Sequence, residues 1–172
     1  MCDNHLSSKR TDYLNWDQTF MSMAVVASQR SKDPSTQVGC CIVNDKYFIV
    51  GIGYNGLPRG CSDDTFPWGK KGDHVDTKYA YVVHAEQNAI LNSNQASLEN
   101  TTMYVTRHPC NECAKSLIQV GIKKVYYLTN PIPNDYSTVA SAKMCEAAGV
   151  ELIHLPIINY DKMKQDIASC II

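Results

Sequence analysis

The chain has 172 residues, 44% of them hydrophobic, which is enough for one domain with a real core. Its 16 Lys and Arg against 17 Asp and Glu give a formal charge of −1. Because no basic run exists, we expect no nucleic-acid polymer as a partner, although a few Arg residues suffice to bind a small phosphorylated ligand. A polar N-terminus and the lack of any apolar run of about 18 residues predict a cytoplasmic protein with no membrane partner.

Hydrophobic periodicity and turn residues predict a single domain over residues 15–172, preceded by a polar arm at residues 1–14. Asn15 should cap the first helix in a capping box with Gln18, and Ser137 should cap the last. No clear pattern follows Pro156. In chain order the predicted elements are helix 15–30, strand 38–43, strand 47–54, helix 84–92, strand 103–106, helix 111–120, strand 124–128, helix 137–148 and strand 150–155.

The order of these elements predicts an α/β fold. The first two strands are joined by a short turn at residues 44–46 and should pair antiparallel. Strands and helices then alternate, which implies parallel crossovers. We therefore expect a three-layer α/β/α sandwich on a five-stranded mixed sheet. Residues 55–80 form the longest irregular stretch, and their aromatic residues argue against disorder, so a functional loop is expected there.

His84, Glu86, Cys110 and Cys113 carry the clearest chemical pattern. His84 and Glu86 open one predicted helix, and the two cysteines, which follow Pro109, open the next. Two thiolates and an imidazole can hold zinc, and three protein ligands leave the fourth position for water, as in a catalytic site. Glu86 lies about 200° around the helix from His84, so it should not bind the same ion and is free to move protons.

Two alternatives stay open for this cluster: a purely structural zinc site, and a metal-free redox pair formed by Cys110 and Cys113. The redox interpretation does not explain His84 and Glu86 at the start of the preceding helix. Of the eight cysteines, only these two have ligand spacing. We expect His108 to be a loop residue or a residue that contacts the metal ligands without binding the metal, because a fourth protein ligand would block the water.

Beyond this cluster the chain resembles the deoxycytidylate (dCMP) deaminase family of eukaryotes and viruses, from about Tyr13 to Leu155. The zinc residues alone would indicate only the wider deaminase superfamily, and the glycine-rich loop together with Arg30 narrows it. The resemblance implies a cytidine deaminase-like fold and hydrolytic deamination of dCMP to dUMP, which feeds thymidylate synthesis. It rests on Ser28-Gln29-Arg30-Ser31-Lys32-Asp33-Pro34, Cys41-Ile42-Val43-Asn44, Gly51-Ile52-Gly53-Tyr54-Asn55-Gly56, Gly60-Cys61-Ser62-Asp63-Asp64, Asp76-Thr77-Lys78-Tyr79, His84-Ala85-Glu86 and Pro109-Cys110-Asn111-Glu112-Cys113.

The resemblance also implies roles for individual residues. One catalytic Zn²⁺ per chain, held by the histidine and the two cysteines, would direct a water at C4 of cytosine, and Glu86 would move the protons. The expected substrate-binding residues are Arg30 for the phosphate, Asn44 for the sugar, Ala85 for the base carbonyl, and also Thr106 and Tyr136. Arg30 can equally be a cation at a helix C-terminus, and Asn44 a turn residue.

Regulation is implied in the same way, with dCTP activating and dTTP inhibiting, Mg²⁺ bound to their phosphates, and a homohexamer as the assembly. The effector-binding residues expected from the resemblance are Tyr54, Asn55, Gly56, Gly60 and Asp64. His74 and Cys61 resemble remnants of a second zinc site, without a full ligand set.

Several other functions remain open. Arg107-His108 and the segment 130–136 depart from the family pattern, which leaves dCTP open as a further substrate. Another amine substrate, such as guanine, a riboflavin precursor or tRNA adenosine, is also open, although the charge argues against tRNA. A regulatory module without catalysis is the last alternative, and the intact Glu86 argues against it.

Overall fold

A computed structural model describes residues 9, 11, 13–129, 131–155 and 165. The predicted arm therefore lies outside the described residues except for 9, 11, 13 and 14, and the segment after Leu155 except for 165. All nine predicted elements are present within the described residues. They are α1 (Trp16–Ser28), β1 (Gly39–Val43), β2 (Ile49–Tyr54), α2 (Ala85–Leu91), β3 (Thr102–Arg107), α3 (Asn111–Gln119), β4 (Lys124–Thr129), α4 (Tyr136–Ala147) and β5 (Glu151–His154), with 3₁₀ turns at His74–Asp76 and Lys78–Ala80 before α2.

The five strands form one mixed sheet in the order β2-β1-β3-β4-β5. Strand β1 pairs antiparallel with both β2 and β3, whereas β3, β4 and β5 run parallel. The hairpin and the parallel crossovers predicted from the sequence are thus confirmed. Because β1 runs against β3, the start of β1 lies beside the end of β3, where the backbone N–H of Gly39 donates to Thr106 Oγ1 at 3.1 Å.

Strand β1 is buried along its whole length because both faces of the sheet are covered. Cys40 and Ile42 point into a core shared with α2, α3 and α4, while Cys41 and Val43 point into a second core beneath α1. This alternation confirms the three-layer architecture. A Cβ at Gly53 would meet the carbonyl oxygen of Ala85 at 2.3 Å, so a glycine there lets the start of α2 lie directly on the sheet.

Two element boundaries differ from the prediction. Helix α4 is capped by Asp135, whose carboxylate accepts from the backbone N–H of Thr138 at 3.1 Å, and not by Ser137. The Ser137 hydroxyl is used elsewhere, in a contact with α3. Strand β2 begins at Ile49 and not at 47, because Tyr47 has a positive φ of 62° within the turn.

The long segment 55–80 is held by specific contacts. Trp68 Nε1 donates to the carbonyl of Asp63 at 2.9 Å, and the ring of Phe66 meets that of Tyr81 edge-on with centroids 5.0 Å apart. The backbone of Gly56 bridges to that of Val83, just before α2. These contacts confirm that Trp68 and Phe66 pack, whereas Tyr79 is 58% exposed. No helix in the described part of the chain is both long and apolar enough to cross a membrane.

Candidate active site

Three metal-donor side chains meet where two helices begin. His84 is the N-cap residue of α2, and Cys110 is the N-cap residue of α3 with Cys113 one turn further on. His84 Nδ1 lies 3.3 Å from the Sγ atoms of both Cys110 and Cys113. Zinc bonds of about 2.0–2.3 Å in a tetrahedron place neighbouring ligand atoms about 3.3–3.8 Å apart. The donor set and its spacing therefore fit zinc.

The charges within this cluster suit a cation. A hydrogen bond with Cys113, helped by one with His84, lowers the pKa of Cys110 to about 4, although burial acts against ionisation. The hydrogen bond with Cys110 raises the pKa of His84 above its usual value. The backbone N–H of Cys113 also donates to Cys110 Sγ at 3.4 Å, so the start of α3 helps hold a thiolate. A thiolate is the form of cysteine that binds zinc.

Glu86 lies beside these donors without being one of them. Its side chain is only 4% exposed, and its carboxyl group is within hydrogen-bonding reach of the Cys113 thiol. Burial raises the pKa of Glu86, and the nearby His84 partly offsets that effect. Among the described residues the clustered metal donors are His84, Cys110 and Cys113 alone, so Glu86 is free to carry protons.

The predictions for His108, His74 and Cys61 can be compared with this cluster of metal donors. His108 Nδ1 donates to the carbonyl of Pro109 at 2.9 Å, and its ring lies edge-on against Tyr127. It is therefore a packed neighbour of the cluster and not a fourth donor. His74 and Cys61 belong to no group of three or more clustered donors within the described ranges.

A cavity of about 370 Å³ opens directly onto this cluster. Its wall combines the end of β3, the start of α4, the segment before β1 and part of the segment 55–83. His84, Glu86 and Cys110 are among its lining residues, and so are three residues with cationic side chains: Lys70, Lys78 and Arg107. A cavity of this size accommodates a small organic molecule next to the metal donors.

The structure brings only part of the predicted substrate-binding set to this cavity. Ala85 lines it. Tyr136 is 78% exposed and stands between two lining residues, Asp135 and Ser137. Thr106 is buried, and its hydroxyl holds β1 against β3.

Asn44 requires a correction. The cavity is lined by Val38 just before β1, whereas Asn44 follows the other end of that strand, about 20 Å away along an extended chain. Asn44 Oδ1 accepts from the backbone N–H groups of Lys46 and Phe48, both at 3.0 Å. Asn44 is therefore the turn residue that was its alternative interpretation, and we do not carry its sugar contact forward.

Arg30 lies beside Tyr54, one of the predicted effector residues, and is not among the residues that line the cavity. Its guanidinium carbon is 5.8 Å from the ring centroid of Tyr54. Gly56, Gly60 and Asp64 continue along the same segment, and Gly60 has a positive φ of 89°. The side chain of Asn55 is different, because it is buried and its Oδ1 accepts from the backbone N–H of Val38 at 2.8 Å.

A buried ion pair in the cavity wall was missed by the sequence-based reasoning. The ammonium of Lys78 contacts the carboxylate of Asp33, and their side chains are 7% and 2% exposed. The amide of Asn55 approaches the same carboxylate at 3.4 Å. This pair ties the segment before β1 to the segment before α2, in the wall of the cavity that the metal donors also line. No local pattern in the sequence links two residues that are 45 positions apart.

The comparison with known proteins agrees with this geometry. The family described as the cytidine and deoxycytidylate deaminase zinc-binding region matches residues 14–129. Deoxycytidylate deaminase of Mus musculus is 52% identical over 143 residues, covering 83% of this chain and 80% of the mouse protein. The probable deoxycytidylate deaminase of Drosophila melanogaster is 54% identical over 157 residues, covering 87% and 77%.

Among solved structures, the dCMP deaminase of cyanophage S-TIM5 in complex with dCMP and dUMP is similar. It superposes with a TM-score of 0.64 at 27% identity, covering 83% of this chain and all of the phage chain. The residues matched by the family, 14–129, include the starts of α2 and α3 and therefore the whole metal cluster. This chain therefore belongs to the cytidine and deoxycytidylate deaminase family and is a zinc-binding hydrolytic deaminase.

Proposed function

We propose that this protein hydrolyses dCMP to dUMP and ammonia. The observation that carries the proposal is the position of Glu86, a buried carboxyl group beside a three-donor metal cluster that faces a nucleotide-sized cavity. The names of the mouse and fly relatives support the substrate, and so does the dCMP bound to the phage enzyme. Cations in the same cavity suit the phosphate that distinguishes a nucleotide from a nucleoside.

His84, Cys110 and Cys113 would hold the metal. When bound, zinc supplies a water whose pKa is lowered to about 7, so that hydroxide is available at neutral pH. Glu86 accepts the first proton of the attacking water and delivers it to N3 of the base; it then takes the second proton from the oxygen now bonded to C4 and passes it to the departing amine. The oxygen of water replaces the amino group at C4, and ammonia leaves. The backbone N–H of Ala85, at the start of α2, is our candidate for holding the base carbonyl.

The experiment that tests this function is ammonia release from dCMP, deoxycytidine and dCTP by the zinc-loaded enzyme. We expect selective turnover of dCMP. No turnover of any of the three would overturn the proposal and return attention to other amine substrates. Turnover of dCTP would support a broader second function, for which Arg107 is the specific observation, because it adds a cation to the cavity wall.

We also propose that dCTP activates and dTTP inhibits the enzyme, each with Mg²⁺ on its phosphates. Tyr54, Gly56, Gly60 and Asp64 are the candidate contacts, with the guanidinium of Arg30 beside the Tyr54 ring. Asn55 would act indirectly, through its contact with Asp33 in the cavity wall.

The same proposal includes a homohexamer that works in the cytoplasm and supplies dUMP for thymidylate synthesis. Sigmoidal dCMP kinetics that dCTP sharpens and dTTP suppresses would support the regulatory part. A monomeric mass in solution would contradict the hexamer.

A further inference from the structure

The cationic side chains in the cavity wall do not all have the same partners. Lys78 contacts the Asp33 carboxylate and both groups are buried, so its charge is already balanced within the chain. Lys70 and Arg107 are exposed, and within the described part of the chain neither forms an ion pair. These two side chains are therefore the ones available to an anionic group on a molecule bound in the cavity.

Arg107 is held more firmly than Lys70. It is the last residue of β3, and its backbone pairs with Thr129 of the parallel neighbour β4. Lys70 lies in the irregular segment before α2. Arg107 also presents a planar guanidinium, which binds two phosphate oxygens at once, whereas an ammonium acts as a single point charge.

The position of Arg107 along the chain matches a ligand that reaches the metal cluster. Cys110 follows Arg107 by three residues, and three residues span at most about 10 Å of extended chain. A nucleoside monophosphate is about as long as this upper limit, so one molecule can reach from Glu86 to Arg107, which line the same cavity. The guanidinium can therefore meet the phosphate while the base faces the donors.

The acidic groups of the cavity wall do not cancel this charge. Asp33 is taken by Lys78, and Glu86 belongs to the metal end of the cavity. The Asp135 carboxylate caps α4, accepting from the backbone N–H and the hydroxyl of Thr138 at 3.1 and 3.3 Å. Its negative charge is thus partly balanced by the positive end of a helix.

We propose that Arg107 binds the 5′-phosphate of the substrate and strengthens the preference of this chain for a nucleoside monophosphate over the nucleoside. This inference rests on the proposed deamination of dCMP. It moves the phosphate contact from Arg30, which does not line the cavity, to a side chain that does.

The test compares kcat/KM for dCMP and for deoxycytidine at constant ionic strength in the zinc-loaded enzyme. Arg107→Gln keeps a polar side chain but removes the charge, and we expect it to lower kcat/KM for dCMP about 10- to 100-fold, with deoxycytidine unchanged within about twofold. Arg107→Lys should fall in between, because the charge remains and the fork is lost. Lys46→Gln is the matched control, since it removes an exposed cation in the turn at the far end of β1.

Deoxycytidine turnover serves as the internal control for folding and metal loading. Equal losses on both substrates in Arg107→Gln would overturn the phosphate contact. So would a selective loss of dCMP turnover in Arg30→Gln or Lys70→Gln without one in Arg107→Gln. Wild-type enzyme that turns over neither substrate would instead overturn the proposed function, and the two failures are thereby distinguished.

Discussion

Glu86 combines burial with a position beside the metal donors. Its carboxyl group is 4% exposed and is not a metal donor, and an amide of nearly the same size and shape can take its place. We therefore expect Glu86→Gln to keep the fold and bound zinc while losing at least about 100-fold in kcat, because the amide cannot accept a proton. Ammonia release and metal content per chain measure the two quantities. Turnover close to that of the wild type would remove Glu86 from the reaction.

Asp33 and Lys78 make a second prediction, for stability and its dependence on pH. Burial acts against ionisation of Asp33, but hydrogen bonds from Lys78 and from the backbone of Ser35 and Thr36 outweigh it, so its pKa is lowered. A carboxyl whose pKa is lower in the folded state stabilises the fold above its unfolded-state pKa of about 3.9. That contribution is lost as the pH falls through the folded-state value.

We therefore expect Asp33→Asn to reduce the free energy of unfolding by about 3 kcal/mol at pH 7, because Lys78 is left charged, buried and unpaired. Urea unfolding at several pH values should show this deficit shrinking below about pH 4. Replacing both residues, as Asp33→Asn with Lys78→Met, should recover most of the loss, since no charge is then buried. A deficit that does not change with pH would contradict the ion-pair explanation.

At the scale of secondary-structure elements, the metal cluster depends on how α3 meets α4. Ser137 Oγ accepts from the backbone N–H of Asn111 at 3.0 Å and donates to its Oδ1 at 2.7 Å. Asn111 directly follows Cys110, so the start of α4 fixes the start of the helix that carries both thiolates. The residue expected to cap α4 thus supports the metal donors instead.

Ser137→Ala should therefore weaken zinc binding about 10-fold, because groups that orient metal ligands typically contribute this much. Competition with a chromogenic chelator measures the affinity. Ser116→Ala is the matched control, since that hydroxyl only contacts the carbonyl of Glu112 within α3, at 3.4 Å. Equal zinc affinities in wild type and Ser137→Ala would show that the contact between the helices does not position the donors.

The same elements show what the sequence can predict. Cys110 and Cys113 were predictable as donors because they lie within one helical turn, where spacing fixes geometry, and the same holds for His84 and its non-donor neighbour Glu86. Strand β1 was predictable because its sequence is apolar throughout. It is apolar throughout because alternating residues enter two different cores. Which end of β1 faces the cavity depends on its antiparallel register with β3, a long-range pairing that gives no local signal. Asn44 was misplaced for that reason.

At the scale of the whole molecule, the cavity lies at one end of the sheet. The segment before β1, the end of β3 and the starts of α2 and α4 converge there, while the β1–β2 turn lies at the opposite end. The two cores lie on the faces of the sheet and contain none of the cavity's charged groups. An exposed charge in the cavity, such as Arg107, can therefore change without loss of the fold, whereas the buried pair of Asp33 and Lys78 cannot.

A bound metal would join the starts of α2 and α3, because its donors lie on both helices. A ligand that binds only the folded state stabilises it by about 4 kcal/mol at a thousand times its dissociation constant. For a domain of this size that corresponds to about 10 °C in Tm. We therefore expect chelation of zinc to abolish ammonia release and to lower Tm by about 10 °C, with both restored by added Zn²⁺.

Two variants separate the metal from the chemistry. Glu86→Gln, which keeps all three donors, should show the same shift in Tm while staying inactive. Cys113→Ser, which loses one donor, should melt near the chelated wild type even with zinc present. A chelated enzyme that kept its Tm and its activity would contradict a functional zinc at His84, Cys110 and Cys113.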